Sequence, residues 1–260
     1  MVYKNIEVVY DGPLAVIYVN RPKVHNALTV ETMGELMGIL KQLEREENVR
    51  TVVITGKGDK AFIAGGDIRE FKDKNSVEAL EFSRTLQKLC FTVETLHKPV
   101  IAAVNGYAFG AGCELMMACD IAYASAEAKI GLPEVGLGII PGAGGTQRLS
   151  RLVGKARAKE IIFTAEPLSA QEAYQIRLVN RIFPPPELME AVKTLCQKIA
   201  SKGPIALRLC KETVEDGYEM DLYKANALEA HAFAVTFSTE DRKEGIDAFL
   251  EKRKPQFKGK

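Results

Sequence analysis

Residues 98–114 read Lys98-Pro99-Val100-Ile101-Ala102-Ala103-Val104-Asn105-Gly106-Tyr107-Ala108-Phe109-Gly110-Ala111-Gly112-Cys113-Glu114, and this stretch decides the fold. Positions 99–104 form an apolar run of strand length, the pattern of a strand covered on both faces. A glycine-bearing loop follows and opens a short helix near Gly110. Strand, small-residue loop and helix in that order indicate an α/β protein. With so little side-chain bulk the loop backbone can approach a ligand closely, and N–H groups at a helix start favour negative charge. Glu114 stands among Gly112, Cys113, Leu115, Met116 and Met117, where an acid is costly to bury without a partner or a purpose.

The pattern extends in both directions. A second glycine-bearing loop, Ala64-Gly65-Gly66-Asp67, lies after a buried-type strand at 51–55, and a second carboxylate, Glu134, sits in Gly131-Leu132-Pro133-Glu134-Val135-Gly136-Leu137. For each glutamate, the competing reading is a helix cap or an ion pair with Arg148 or Arg151. Residues 6–10 and 14–19 read as a hairpin around Asp11-Gly12-Pro13. Thr29 can cap a helix whose apolar positions Met33, Leu36, Met37, Leu40 and Leu43 recur at helical spacing. A helix is expected over 77–96, with further strands at 121–124 and 129–130. From Gly144 onward helices are expected to dominate, with helical segments at 186–200, 204–214, 222–237 and 240–250. The character of the chain changes near Pro184, the best boundary candidate.

The chain has 260 residues, with 35 Lys and Arg against 34 Asp and Glu for a net charge of +1, and 47% hydrophobic residues. That length fits one large domain or two small ones at ~100–200 residues each. The charge balance argues against a protein dominated by nucleic-acid electrostatics. Five cysteines without a C-x-x-C pair argue against a disulfide framework or a zinc ribbon, and each reads as a small buried residue. The longest apolar stretches fall well short of the ~20 residues that span a bilayer. A cytoplasmic location is expected, with an organelle matrix after transit-peptide removal as the other possibility.

Several familiar motifs fail. Gly136-Leu137-Gly138-Ile139-Ile140-Pro141 has proline where a dinucleotide fingerprint needs its last small residue, and neither Gly-Lys pair belongs to a P-loop. His25, His97 and His231 lie too far apart for an H-E-x-x-H helix, and no serine stands in G-x-S-x-G. What survives is a pair of small-residue loops and a pair of carboxylates. Two converging N–H donors would make an oxyanion hole. Two carboxylates beside it suit proton transfer at the carbon next to a carbonyl, through an enolate held by the N–H pair.

The chain resembles the crotonase (enoyl-CoA hydratase/isomerase) superfamily, and within it the enoyl-CoA hydratases, essentially from end to end. The resemblance is carried by Asn20-Arg21-Pro22-Lys23 with Asn26-Ala27-Leu28, by Ala61-Phe62-Ile63-Ala64-Gly65-Gly66-Asp67-Ile68, and by residues 98–114. Pro133-Glu134-Val135-Gly136-Leu137-Gly138 and Pro141-Gly142-Ala143-Gly144-Gly145-Thr146-Gln147-Arg148-Leu149 complete it. It implies a crotonase-like α/β spiral of ββα units over residues 1–195 with a helical C-terminal assembly region over 196–260, built for a homotrimer or a dimer of trimers.

The resemblance further implies that the N–H groups of Gly66 and Ala111 form the oxyanion hole of an acyl-CoA thioester, and that Glu114 and Glu134 are catalytic and hold a water. Glu114 would act as base towards that water and Glu134 as acid towards the α-carbon. Gly142 would lie at a helix N-terminus beside the acyl and water site. Lys23, Val24 and His25, with Ala64, Asp67 and Ile68, would line the CoA adenine and pantetheine path, mostly through backbone contacts, and Phe249 and Lys252 would reach the CoA of a neighbouring subunit. No metal or redox cofactor is implied, since CoA belongs to the substrate.

Gly66 stands where alanine is common in hydratases, Ala111 where glycine is common, and His25 at a position usually apolar. These departures leave acyl preference open. The expected reaction is reversible syn addition of water to a trans-2-enoyl-CoA. The rival within the family is a cyclic or dienoyl-CoA hydratase or isomerase. The rival outside it is an RNA-binding role for the basic run Arg151, Lys155, Arg157 and Lys159, although nucleic acid is not the expected partner.

Overall fold

The structure, a computed structural model, describes residues 3–260. Strands β1 (Ile6–Asp11) and β2 (Leu14–Val19) pair antiparallel around a turn in which Gly12 takes a positive φ. Helix α1 (Val30–Arg45) begins at Thr29, whose hydroxyl oxygen accepts the Thr32 N–H as expected of a cap. It buries Met33, Leu36, Ile39, Leu40 and Leu43 at helical spacing.

Three strand pairs follow, each leading into a helix. Strands β3 (Thr51–Gly56) and β4 (Ala61–Ile63) precede α2 (Ser76–Glu94), which starts in a capping box between Asn75 and Glu78. Strands β5 (Val100–Val104) and β6 (Tyr107–Phe109) precede α3 (Ala111–Met117). Strands β7 (Ile121–Ser125) and β8 (Lys129–Gly131) precede α4 (Gly145–Val153) and α5 (Lys155–Thr164). Then come β9 (Leu168–Ser169), α6 (Ala170–Gln175) and β10 (Arg181–Phe183). The chain ends in α7 (Leu188–Ala200), α8 (Pro204–Tyr218), α9 (Leu222–Thr236) and α10 (Glu240–Leu250).

The first strand of each pair joins one sheet and the second strand another. The larger sheet runs β1-β2-β3-β5-β7-β10, parallel from β2 onward, and the smaller runs β4-β6-β8-β9. Each turn of this spiral therefore crosses from one sheet to the other before entering its helix. Strands β3 and β5 are buried throughout, which explains their unbroken apolar sequences. Ile17, Val52, Ile54, Val100 and Ala102 belong to the main core, which includes α1 and α2. A second cluster sets Leu188, Val192 and Cys196 of α7 against Leu14, Val16, Val53, Ile101 and Ala103.

Helices dominate after Gly144 as expected, but β9 closes the smaller sheet and β10 extends the larger one beside β7, and these strands, like β4 and β6, are not among the expected ones. The expected division between 195 and 196 falls inside α7, a helix that packs on the sheet along its length. Of the cysteines, Cys90, Cys113 and Cys196 are buried as expected, but Cys119 is only half-buried and Cys210 is exposed on α8. No helix among the described residues is long and apolar enough to cross a membrane.

Beyond α7 the burial falls sharply. Helices α8 and α9 contain no fully buried residue, and Leu222, Tyr223, Phe233, Phe249 and Leu250 are all exposed. A buried ion pair ties α8 to the core: Lys211 Nζ donates to Asp120 Oδ2 at 2.9 Å and to the Val93 carbonyl at 3.0 Å.

Helix α3 lies hard against β4 at Gly112, where an added Cβ would stand 2.0 Å from the Ile63 carbonyl oxygen. Because the obstacle is backbone, no rotamer relieves it. Gly112→Ala is expected to lower unfolding free energy by about 3 kcal/mol or more in urea titration. An unchanged denaturation midpoint would contradict this packing.

Candidate active site

The site forms where the smaller sheet hands over to its helices. Gly110 caps α3 with φ 50° and ψ −121°, a backbone conformation that side chains disfavour. A Cβ there would lie 2.8 Å from Glu134 Oε1 and 3.8 Å from Gly65 Cα, so the two glycine loops and Glu134 meet at one point. The Leu28 N–H donates to the Gly65 carbonyl and the Asp67 N–H to the Leu28 carbonyl, at 2.9 and 2.7 Å. These bonds hold the first loop as a short strand-like bridge and leave the intervening Gly66 N–H out of the pairing. Ala111 opens α3, where the first N–H groups lack intrahelical acceptors. Among the described residues, no backbone carbonyl accepts the N–H of Gly66 or Ala111.

Glu114, one turn into α3, is 1% exposed. Its Oε1 accepts the N–H groups of Ala143 and Gly145, both at 2.7 Å, at the start of α4. The helix-cap reading is thus realised by one oxygen, while Oε2 receives no protein donor among the described residues. The ion-pair reading is not realised, since Arg148 pairs with Glu94 and Arg151 with Glu219. Burial raises the proton affinity of Glu114, partly offset by the two N–H donors and by Arg148 at longer range. Glu134 opens the 3-10 helix Glu134–Leu137, and its Oε2 is buried without a hydrogen-bond partner. Burial pushes its pKa up to about 7, and the charge of Glu114 adds to the effect.

Gly142 lies just ahead of α4, and its carbonyl accepts hydrogen bonds from Ser83 and Gln87 of α2. Neither α2 residue stood out in the sequence. Their only signal is their i, i+4 spacing, because their partner lies more than fifty residues away. The Gly66 departure also finds a physical reason. An alanine Cβ at this position would sit 2.8 Å from the Phe71 ring and 3.4 Å from Phe82, so Phe71 occupies the space of the missing methyl.

The residues expected along the CoA path fall into two groups. Lys23 and His25 are exposed and Val24 is half-buried; the Ala64 N–H donates to the His25 carbonyl at 3.0 Å, and Ile68 is exposed nearby in sequence. Asp67 is different. Its carboxylate is held by Arg69 at 2.7 Å and Arg21 at 3.0 Å, which keep its pKa well below the usual range, and its N–H is already bonded. Its side chain therefore braces the loop. Phe249 lies on α10, which makes no substantial contact with β4, β6, α3 or α4, and Lys252 follows that helix, so the chain does not itself bring α10 to the elements that carry Glu114. In the basic run, Arg151 and Arg157 are neutralised by Glu219 and Glu160.

A pair of carboxylates with raised proton affinity beside unpartnered main-chain donors is equipped to move protons near a polarised carbonyl. Comparison with known proteins points to the same chemistry. A crotonyl-CoA hydratase of Syntrophomonas wolfei is 48% identical over 99% of both chains. A short-chain-enoyl-CoA hydratase of Clostridium acetobutylicum is 47% identical over 98% of this chain and 97% of that one. The crystal structure of an enoyl-CoA hydratase from Bacillus anthracis superimposes with a TM-score of 0.96 at 44% identity, covering 99% of this chain and all of the other. With the enoyl-CoA hydratase/isomerase family model also matching residues 11–260, the chain belongs to that family.

Proposed function

We propose that the protein is an enoyl-CoA hydratase, catalysing reversible syn addition of water to a trans-2-enoyl-CoA to give the 3-hydroxyacyl-CoA. The observation that carries this reading is the pairing of Glu114 and Glu134, both with raised proton affinity, beside the junction of the two glycine loops. The relatives named above support a short linear acyl group as the first substrate to test. The pairing of Arg151 and Arg157 with acids disfavours the RNA-binding alternative, because the basic run offers fewer free charges.

In this mechanism the N–H groups of Gly66 and Ala111 bind the thioester oxygen and stabilise the enolate charge that develops on it. The free oxygen of Glu114 takes a proton from water as the water oxygen bonds to C3. Glu134 delivers its proton to C2, and the electron pair returns from the enolate. Syn addition requires both carboxylates to act on one face of the enoyl chain. The reaction is redox-neutral, and CoA enters with the substrate. Lys23, Val24, His25, Ala64 and Ile68 would follow the CoA chain.

Assembly completes the proposal. The exposed apolar faces of α8–α10 would be buried in a homotrimer or a pair of trimers, bringing Phe249 and Lys252 to a neighbour's CoA. The core carrying the site would then extend through α7, with the assembly region beyond it. Sedimentation equilibrium is expected to give three or six times the chain mass, and a stable monomer would contradict this part.

Loss of the conjugated enoyl-thioester absorbance with crotonyl-CoA tests the chemistry. Glu114→Gln and Glu134→Gln are each expected to lower kcat by about 10²–10⁴-fold. Undiminished turnover in both would refute the mechanism, and turnover only with cyclic or dienoyl substrates would shift the assignment within the family.

A pH profile tests the electrostatics. Hydration starts with a proton on Glu134, which goes to C2, and ends with a proton from water on Glu114, so the competent pair carries one proton in either direction. Burial raises the proton affinity of Glu134, so this proton is retained up to about pH 7 and lost above it. The expected kcat/KM therefore falls on the alkaline side of about 7, by about tenfold per pH unit. Hydration and dehydration should share that limb, because their overall equilibrium involves no net proton. A flat profile from pH 6 to 9 would contradict the assignment.

A further inference from the structure

We propose that Ser83 and Gln87, one turn apart on α2, are positioning residues for Glu114 that act through the single peptide unit joining Gly142 to Ala143. The proposal rests on the reading of Glu114 as a proton-transfer group. On one side of this peptide, Ser83 Oγ donates to the Gly142 carbonyl at 2.7 Å and Gln87 Nε2 donates to the same oxygen at 3.0 Å. On the other side, the Ala143 N–H donates to Glu114 Oε1 at 2.7 Å. The C=O and N–H of a planar trans peptide point in opposite directions, so two donors fixing the oxygen also aim the N–H. Donation to the carbonyl also polarises the amide and strengthens its N–H as a donor.

The surroundings favour this role over mere filling of space. Helix α2 turns Phe82, Leu86, Leu89, Cys90 and Val93 into the core, and Ser83 and Gln87 are half-buried beside them. The next carbonyl, that of Ala143, is gripped by Arg148 Nη1 at 2.7 Å, and Arg148 is itself held by Glu94 of α2. Two consecutive carbonyls ahead of α4 thus hang from one helix, and the N–H groups of Ala143 and Gly145 converge on Glu114.

The test compares Ser83→Thr, which keeps a hydroxyl, with its isostere Ser83→Val, and adds Gln87→Leu; crotonyl-CoA is the substrate. Ser83→Val and Gln87→Leu are expected to lower kcat by about tenfold, less than loss of a direct oxyanion donor, with KM unchanged. The acid limb of kcat/KM should move to higher pH, because a weaker N–H donor stabilises the Glu114 carboxylate less. Ser83→Thr should restore both values. Equal kcat and equal acid limbs in the Thr and Val variants, with Gln87→Leu unaltered, would overturn the proposal. So would an effect confined to KM, which would make the pair a wall of the acyl pocket. Glu114→Gln, measured alongside, separates the two ideas. Full turnover in that variant removes the function assigned to Glu114, whereas its loss with unaltered α2 variants removes only the peptide clamp.

Discussion

A carboxylate buried without a cation beside it constrains the whole site. Glu114 is nearly inaccessible, and the arginine nearest in role, Arg148, is engaged by Glu94. Water is replaced by two main-chain N–H groups at the start of α4, on one oxygen only. That compensation is partial, so the proton affinity rises. A salt bridge to Arg148 would have held the group ionised. The arginine instead shapes the loop that solvates Glu114, leaving the acid able to change its protonation state.

The two-sheet spiral supplies the pieces. Each turn sends a long buried strand into the larger sheet and a three-residue strand into the smaller, and β4 and β6 end in glycine- and alanine-bearing loops. The parallel pairing of β4 with β6 and β6 with β8 places the ends of successive turns side by side. Gly65 and Gly110, 45 positions apart in sequence, come so close that a Cβ on Gly110 would stand 3.8 Å from Gly65 Cα. Gly112 permits the closeness, since its hydrogen stands where a methyl would strike the Ile63 carbonyl.

The chain disclosed its long elements readily. The hairpin, the Thr29 cap, α1 and the buried strands β3 and β5 follow from periodicity and turn chemistry, which are local. The strands β4, β6, β9 and β10 were not read, because two or three residues carry no period and their partners lie far along the chain, although the equally short β8 was expected at 129–130. Glu114 and Glu134 were legible as acids in apolar or glycine-rich surroundings, with the resemblance supplying their roles. Ser83 and Gln87 left almost no trace, since an ordinary polar pair on a helix becomes distinctive only when its carbonyl partner is known. Asp67 was expected along the CoA path mostly by its backbone, and nothing in the sequence signals that Arg21 and Arg69 hold its side chain.

The proposed oxyanion hole of Gly66 and Ala111 bears on how such a protein can change. Every amino acid except proline brings the same N–H, so drift at either position leaves polarisation intact and alters only the contour of the pocket. The Phe71 ring beside Gly66 illustrates this: one side chain takes the volume another gives up, while the donor stays where it was. Substrate fit and carbonyl activation are therefore separately adjustable. A survey that truncates side chains one by one would pass over both donors without registering them.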